Sequence, residues 1–365
     1  MIRILIVPTV GLSLYGITNS IMNYYRNMDK SDFRIDFVNP AIAPKRLKKE
    51  IKANGGRVYE VVMRNYRPLQ YMGYLARIIN KGNYDIIHCH GNSATLAVEL
   101  IVAKLCKVKV RIAHCHNSTC DHKIIHYILK PLFNHSLTHA FACSEKAGTW
   151  IYGKKKFTVI NNGIPVMDYF YHEEIRNQYR KALGYEEHKV IGHIGHFSYQ
   201  KNQEFLIQVF SQLYKSDNTY RLLLIGDGDL KMELTKQVKD LGLTEVVCFY
   251  GETLEVPNLL QAMDIFVFPS RFEGLGIAVI EAQSSGLPCI VSDAIPQEAK
   301  VTDLIHYLSL TDSIDLWVDT IVKLNEFERK GNGLRVQDVM KQSNYNIQNE
   351  VGKLQNLYYE FVKKT

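Results

Sequence analysis

Short apolar runs separated by helix-spaced stretches recur along the whole chain, and no other feature restricts its fold as much. The first series occupies residues 2–10, 35–38, 58–63, 85–90, 108–116, 140–144 and 157–161; the second occupies 190–194, 221–225, 246–250, 265–269, 288–292 and 305–308. Runs of this length suit strands buried on both faces, and strands alternating with helices form a parallel sheet covered on each side. The expectation is an α/β chain of two doubly wound, Rossmann-like domains. Ligands of such sheets bind beyond the carboxyl ends of the strands, so two of them facing across a cleft would hold a donor on one side and an acceptor on the other. The polar stretch 164–189 lacks strand patterning and is placed as the linker, giving domains 1–170 and 171–345. Ile347, Val351, Leu354, Leu357, Tyr358 and Phe361 keep a helical stripe. A terminal helix over 346–365 is therefore expected to pack on a neighbour, with the first domain as its candidate partner.

The bulk properties agree with a two-domain protein. The 365 residues exceed what one hydrophobic core usually serves. No run approaches the ~20 apolar residues of a membrane span, and the chain enters its first strand without a signal-peptide pattern, so a cytoplasmic location is expected. The seven cysteines form no C-x-x-C and fall mostly in apolar runs, which suits reduced thiols. Charge is uneven: residues 1–170 hold 24 Lys and Arg against 10 Asp and Glu, leaving 20 against 27 for the remainder. Clusters at 45–49 and 154–156 suit an anionic membrane surface, or simply a solvated face. No nucleic-acid motif accompanies the charge, and nucleic acid is disfavoured as a partner.

Several motifs fall where strands give way to helices. In Arg271-Phe-Glu-Gly-Leu-Gly-Ile-Ala-Val-Ile-Glu281, Glu273 and Glu281 stand eight positions apart around a Gly-x-Gly turn that follows the apolar run Ile265-Phe-Val-Phe. A helix start offers unpaired N–H groups to phosphate. Glu281, about two turns or roughly 12 Å further along, would reach a ribose, whereas a solvated helix would explain the same spacing without function. Lys201, after Gly192-His-Ile-Gly195-His196, is suited to neutralise a pyrophosphate. Gly226-Asp-Gly-Asp229 contains a D-x-D, but its position after a strand suggests that Asp229 is a helix N-cap rather than a metal ligand. Ser292 and Asp293 close another strand near the same crevice. In the first half Gly11-Leu-Ser-Leu-Tyr-Gly16 lacks the dinucleotide order, which disfavours hydride transfer, yet Gly16 and the following amides could approach a diphosphate. Two His-Cys-His triplets, 88–90 and 114–116, put paired imidazoles on one strand face. Hydrogen bonding in the core explains most of them, a zinc site lacks a completing ligand, and His116 is the choice for a sugar contact or proton traffic.

Taken together, these residues resemble the GT-B glycosyltransferases of family 4, in the branch that builds bacterial capsules and exopolysaccharides. The resemblance rests on the turn at Gly16, Asp85-Ile-Ile-His-Cys-His90, Arg111-Ile-Ala-His-Cys-His-Asn117, Val159-Ile-Asn-Asn-Gly163, Gln200-Lys201-Asn202, the E-x7-E pair and Ser292-Asp293. It implies a retaining hexosyl or N-acetylhexosaminyl transferase that uses a UDP-sugar, needs no metal or cofactor and works at the inner membrane face. The expected acceptor is a saccharide, free or polyprenyl-linked. By the same resemblance His116 and Glu273 face the transferred sugar, and Gly274, Leu275 and Gly276 offer amides to its phosphate. Lys201 pairs with the pyrophosphate, and Glu281 takes the ribose. One departure stands out: His196 replaces the family's usual arginine beside the pyrophosphate. A UDP-sugar epimerase of the same architecture, or a catalytically weakened partner subunit, are the competing expectations.

Overall fold

The computed structural model describes the chain except residues 13–15, 121, 326, 328 and 365 and the side chains of Lys330 and Asn332. It divides into two compact units: Met1–Ile164 together with Ile347–Thr365, and Pro165–Asn346.

In the first unit seven parallel strands lie in the order β3-β2-β1-β4-β5-β6-β7. They are β1 (Ile2–Pro8), β2 (Phe33–Asn39), β3 (Val58–Glu60), β4 (Ile86–Gly91), β5 (Val110–Cys115), β6 (His139–Ala142) and β7 (Thr158–Val159). Alternate side chains sort to opposite faces, as the pleat requires. Leu5, Val7, Ile87, Cys89, Ala113 and Cys115 enter one core; Ile4, Ile6, Ile86 and Ile112 enter the other. The helix Ile347–Lys363 covers this second face through Ile347, Val351, Leu354 and Tyr358. Two polar contacts fix its register: Glu350 accepts from the Asn161 amide at 2.8 Å, and Lys353 donates to the Val159 carbonyl at 2.7 Å.

The second unit has six parallel strands in the order β10-β9-β8-β11-β12-β13. They are β8 (Lys189–Ile194), β9 (Tyr220–Ile225), β10 (Val247–Gly251), β11 (Ile265–Phe268), β12 (Cys289–Ser292) and β13 (Ile305–Leu308). Here the stretch placed as a linker is a structural part of the unit. Its charges form the helix Glu173–Leu183, with acidic residues in the first turn and basic ones in the last, as the helix dipole favours. Arg176 and Arg180 both engage Asp264 at the start of β11, and Asp264 also accepts from the Val190 amide at 2.7 Å. Just before it, the short helix Val166–Tyr169 is tied to this unit through Tyr169, so the division falls before residue 165 rather than at 170. No disulfide joins the cysteines among the described residues, and Cys89, Cys115, Cys143 and Cys289 are buried.

Candidate functional site

Strand order in the second unit runs outward in both directions from β8 and β11, which makes the crevice beyond their carboxyl ends the place where such sheets take ligands. The loops that leave these two strands are riveted together. The Arg271 amide donates to the Gln200 carbonyl at 2.8 Å, the Arg271 guanidinium to the Tyr199 carbonyl at 2.7 Å, and the Gln200 amide group to the Phe272 carbonyl at 3.0 Å. Asn202, itself in the left-handed region at φ 57°, donates to the Pro269 carbonyl at 3.1 Å.

This clamp brings Lys201 and Glu273 into a direct ion pair, with side-chain exposures of 19% and 8%. The ammonium lies 4.6 Å over the Phe268 ring, so the pair is held against an apolar wall where charge is poorly screened. Next to Lys201 in sequence, and at the start of the loop that carries Glu273, three buried oxygens lack any partner: Asn202 Oδ1, Gln203 Oε1 and Ser270 Oγ. Buried polar atoms are nearly always bonded, and a cluster of exceptions beside an ion pair marks a place for a polar ligand. Asn202 lies within a motif already noted in the sequence; nothing in sequence spacing distinguished Gln203 or Ser270. Ser292, at the end of β12, donates to the Ser270 carbonyl and braces the same loop.

Gly274 and Leu275 lead into the helix Ile277–Ser284, whose N-cap is Gly276 at φ 83°, a conformation that strains any residue with a Cβ. No side chain caps this helix, and although the Val279 amide donates to the Gly276 carbonyl at 2.9 Å, the amides before it keep the orientation that suits an anion. The helix starts later than the spacing suggested. Glu273 stands in the loop, and Glu281 is the fifth helical residue, about 6 Å rather than 12 Å from the helix start. Half-buried Glu281 accepts from the Tyr169 hydroxyl at 2.9 Å. Burial pushes its carboxyl up to about 7, against the lowering pull of that hydrogen bond. Tyr169 was not foreseen, because it approaches from a distant segment.

Exposed His196 follows β8; its carbonyl accepts from Gln203 and Ser198. The D-x-D differs from expectation. The N-cap of the helix Lys231–Asp240 is Leu230, not Asp229, and Asp227 is occupied by Lys231 and the Gly228 amide, each at 2.8 Å.

In the first unit Gly16, at φ 62°, starts the helix Ile17–Asn27 without a side-chain cap; residues 13–15 of its turn lie outside the described residues. His116, just beyond β5, is buried in an array with His88, His90 and His114. His88 Nε2 meets His114 Nδ1 at 3.2 Å, His90 Nδ1 meets His116 Nε2 at 2.8 Å, and the two pairs stack with centroids 4.1 and 4.2 Å apart. Asn162 Oδ1 accepts from Ser20 and from His116 Nδ1, and Tyr358 bonds His88 Nδ1. Both ring nitrogens of His116 are thus engaged within the fold, and burial pushes its imidazole down to about 4. His88, His90 and His114 bring ring nitrogens within 4.8 Å of one another. His88 Nε2 and His114 Nδ1 already bond each other at 3.2 Å, so a metal at ~2.0–2.1 Å from both would have to replace that hydrogen bond.

Two family models cover most of the chain: Glycosyltransferase Family 4 over residues 15–167 and Glycosyl transferases group 1 over residues 174–326. The chain is a family 4 glycosyltransferase. It is 29% identical over 363 residues to a protein named as the glycosyltransferase EpsF of Bacillus subtilis, covering 95% of this chain and 94% of that one. It is 26% identical over 313 residues to UDP-Gal:alpha-D-GlcNAc-diphosphoundecaprenol alpha-1,3-galactosyltransferase of Escherichia coli, covering 79% and 78%. Among solved structures, Anabaena Alr3699/HepE in complex with UDP and glucose matches with a TM-score of 0.81 at 19% identity, over 98% of this chain and 100% of that one. The glycosyltransferase therefore has the GT-B fold and is related to enzymes of exopolysaccharide biosynthesis. Among its described residues, no helix is long and apolar enough to cross a membrane.

Proposed function

We propose that this glycosyltransferase moves a hexose or N-acetylhexosamine, with retention of configuration, from a UDP-sugar to a polyprenyl-linked saccharide at an anionic membrane surface. The observation that carries the donor half is the Lys201–Glu273 pair clamped beside an uncapped helix start and three unpartnered oxygens. In this reading the diphosphate rests on the amides of Gly274 to Gly276, with Lys201 offsetting the charge that grows on the leaving phosphate. Glu273 faces the sugar, Glu281 accepts from the ribose hydroxyls, and a departing phosphate oxygen takes the acceptor's proton on the same face. Gly16, beyond the end of β1, is assigned to the donor's diphosphate; His116, beyond β5, is assigned to the transferred sugar, a contact that requires it to exchange one of its two partners in the fold, His90 or Asn162. The lipid-linked acceptor is supported by the Escherichia coli relative's name, and uridine by the ligand of the Anabaena structure. No step calls for a metal.

The test is a panel of nucleotide sugars scored by protection against thermal unfolding, followed by product analysis with acceptor present. Binding to the native state raises the melting temperature. Release of UDP only with acceptor supports transfer; a new UDP-sugar formed without acceptor means epimerisation. Tight UDP binding that is lost in Glu281→Ala counts against a weakened partner subunit.

Two further outcomes are expected. An ionised Glu281 accepts ribose hydroxyls better than a protonated one, so UDP affinity should rise as pH climbs through about 7. Calorimetry at pH 6 and 8 should show this rise in the parent and not in Glu281→Gln. Second, if His196 contacts the pyrophosphate, His196→Arg should keep or raise turnover, since a guanidinium grips phosphate with two parallel bonds. Collapse of activity on that change would assign the position another role.

A further inference from the structure

The helix Lys123–Ser136 presents its apolar residues to solvent. Its inward side packs His126 on Trp150 and Phe133 on Tyr152. Its outward side carries Ile124 (78% exposed), Ile125 (49%), Tyr127 (62%), Ile128 (68%) and Leu132 (50%). At 100° per residue these five positions cover a face about 160° wide, where a solvated helix would carry charge. Single exposed apolar residues are ordinary, but a contiguous stripe of β-branched and aromatic side chains marks a surface that is covered in use.

The rim of the stripe is basic. Residues 97–158, spanning the helices on either side, contain ten Lys and Arg against three Asp and Glu. Exposed Lys146 and Lys154 to Lys156 lie on and just after the helix Glu145–Tyr152. This helix joins the stripe-bearing one through the His126–Trp150 stack and through Lys130, which donates to the Trp150 carbonyl at 3.3 Å. On the other flank Lys104 donates to the His135 carbonyl at 3.4 Å, next to Leu105, which is 75% exposed.

We propose that the 123–136 helix is the element by which this protein lies on an anionic lipid leaflet, its isoleucines entering the acyl boundary and the surrounding lysines meeting headgroups. Charge favours lipid over a second copy of the chain: a two-fold contact through this face would set one basic rim against its equal. The purpose of the surface rests on the reading of a lipid-linked acceptor, whereas its chemistry does not.

The experiment is co-sedimentation of the full-length protein with vesicles of phosphatidylcholine alone or with 30% (about one lipid in three) phosphatidylglycerol. Binding is expected only with phosphatidylglycerol, weakening as salt rises. The pair Ile124→Ser and Ile128→Ser should reduce partitioning roughly tenfold or more, with the melting temperature and UDP protection unchanged. Lys154, Lys155 and Lys156 changed together to Gln should weaken it through charge alone. Equal partitioning of the serine variant, or no binding by the parent, overturns the proposal. So does light scattering that shows a dimer which the serine pair converts to monomer. Full turnover of a water-soluble acceptor with no stimulation by vesicles, alongside intact vesicle binding, would instead remove the lipid-linked reading and leave the surface standing.

Discussion

Replacing Lys201 with methionine is expected to lower kcat/KM for the nucleotide sugar by about 10²–10³-fold, the range typical for one preorganised electrostatic contact at the reacting centre. Two effects point the same way. The diphosphate loses its counter-charge, and Glu273, 8% exposed at its side chain, keeps a carboxylate with no ion-pair partner beside it. The double variant Lys201→Met, Glu273→Gln separates them, because it removes both charges and should recover UDP affinity more than turnover. Calorimetry with UDP and initial rates at saturating donor provide the two readouts. If the pair served only to staple the two loops, the melting temperature would fall while kcat/KM at a permissive temperature stayed within a few-fold of the parent.

Acid should unfold the first unit before the second. Burial pushes His88, His90 and His114 well below their ordinary value of 6.5 and His116 to about 4; the first three also feel neighbouring imidazoles' charge, whereas the Asn162 hydrogen bond pulls His116 back up. Below about 6.5 the unfolded chain takes up protons that the folded array refuses, so stability present above that pH is lost as pH falls toward 4. Each such proton contributes about 1.4 kcal/mol per pH unit, and four together about 5.5 kcal/mol per pH unit at most. In the second unit the comparable groups are His193, pushed to about 4, and His306. Urea unfolding at pH 7.5, 6 and 5 should therefore resolve an early transition that moves steeply with pH. Equal acid sensitivity of the two units would mean that the array opens to water without unfolding.

All thirteen strands are present within a few residues of their sequence-based positions, because the inner ones are both-faces-buried runs whose length and flanks leave little choice; the edge strands β3, β7, β10 and β13 are only half-buried. The alternation that puts Cys89 and Cys115 on one face and four imidazoles on the other follows from the same pleat. Readings that depended on where a helix begins fared worse. Gly276 in its left-handed conformation delays the helix to Ile277, and Leu230 rather than Asp229 precedes the next one. Positive φ and cap choice are settled by contacts from other segments, which local propensity does not encode. The 164–189 stretch misled for a related reason: Arg176 and Arg180 look like surface charge until Asp264, more than eighty positions away, supplies their partner. Tyr169 beside Glu281 and the unpartnered Gln203 and Ser270 belong to the same class.

The helix Ile347–Lys363 completes the unit built from the first 164 residues. During synthesis, then, the amino-terminal sheet leaves the ribosome with Phe33, Ile35 and its histidine-lined face uncovered, and stays so until residues 347–363 have been added. The unit encoded second is the first that can be whole. Loss of the 347–363 helix would consequently be felt hundreds of positions away, as a half-clad sheet prone to sticking before it could ever meet a substrate.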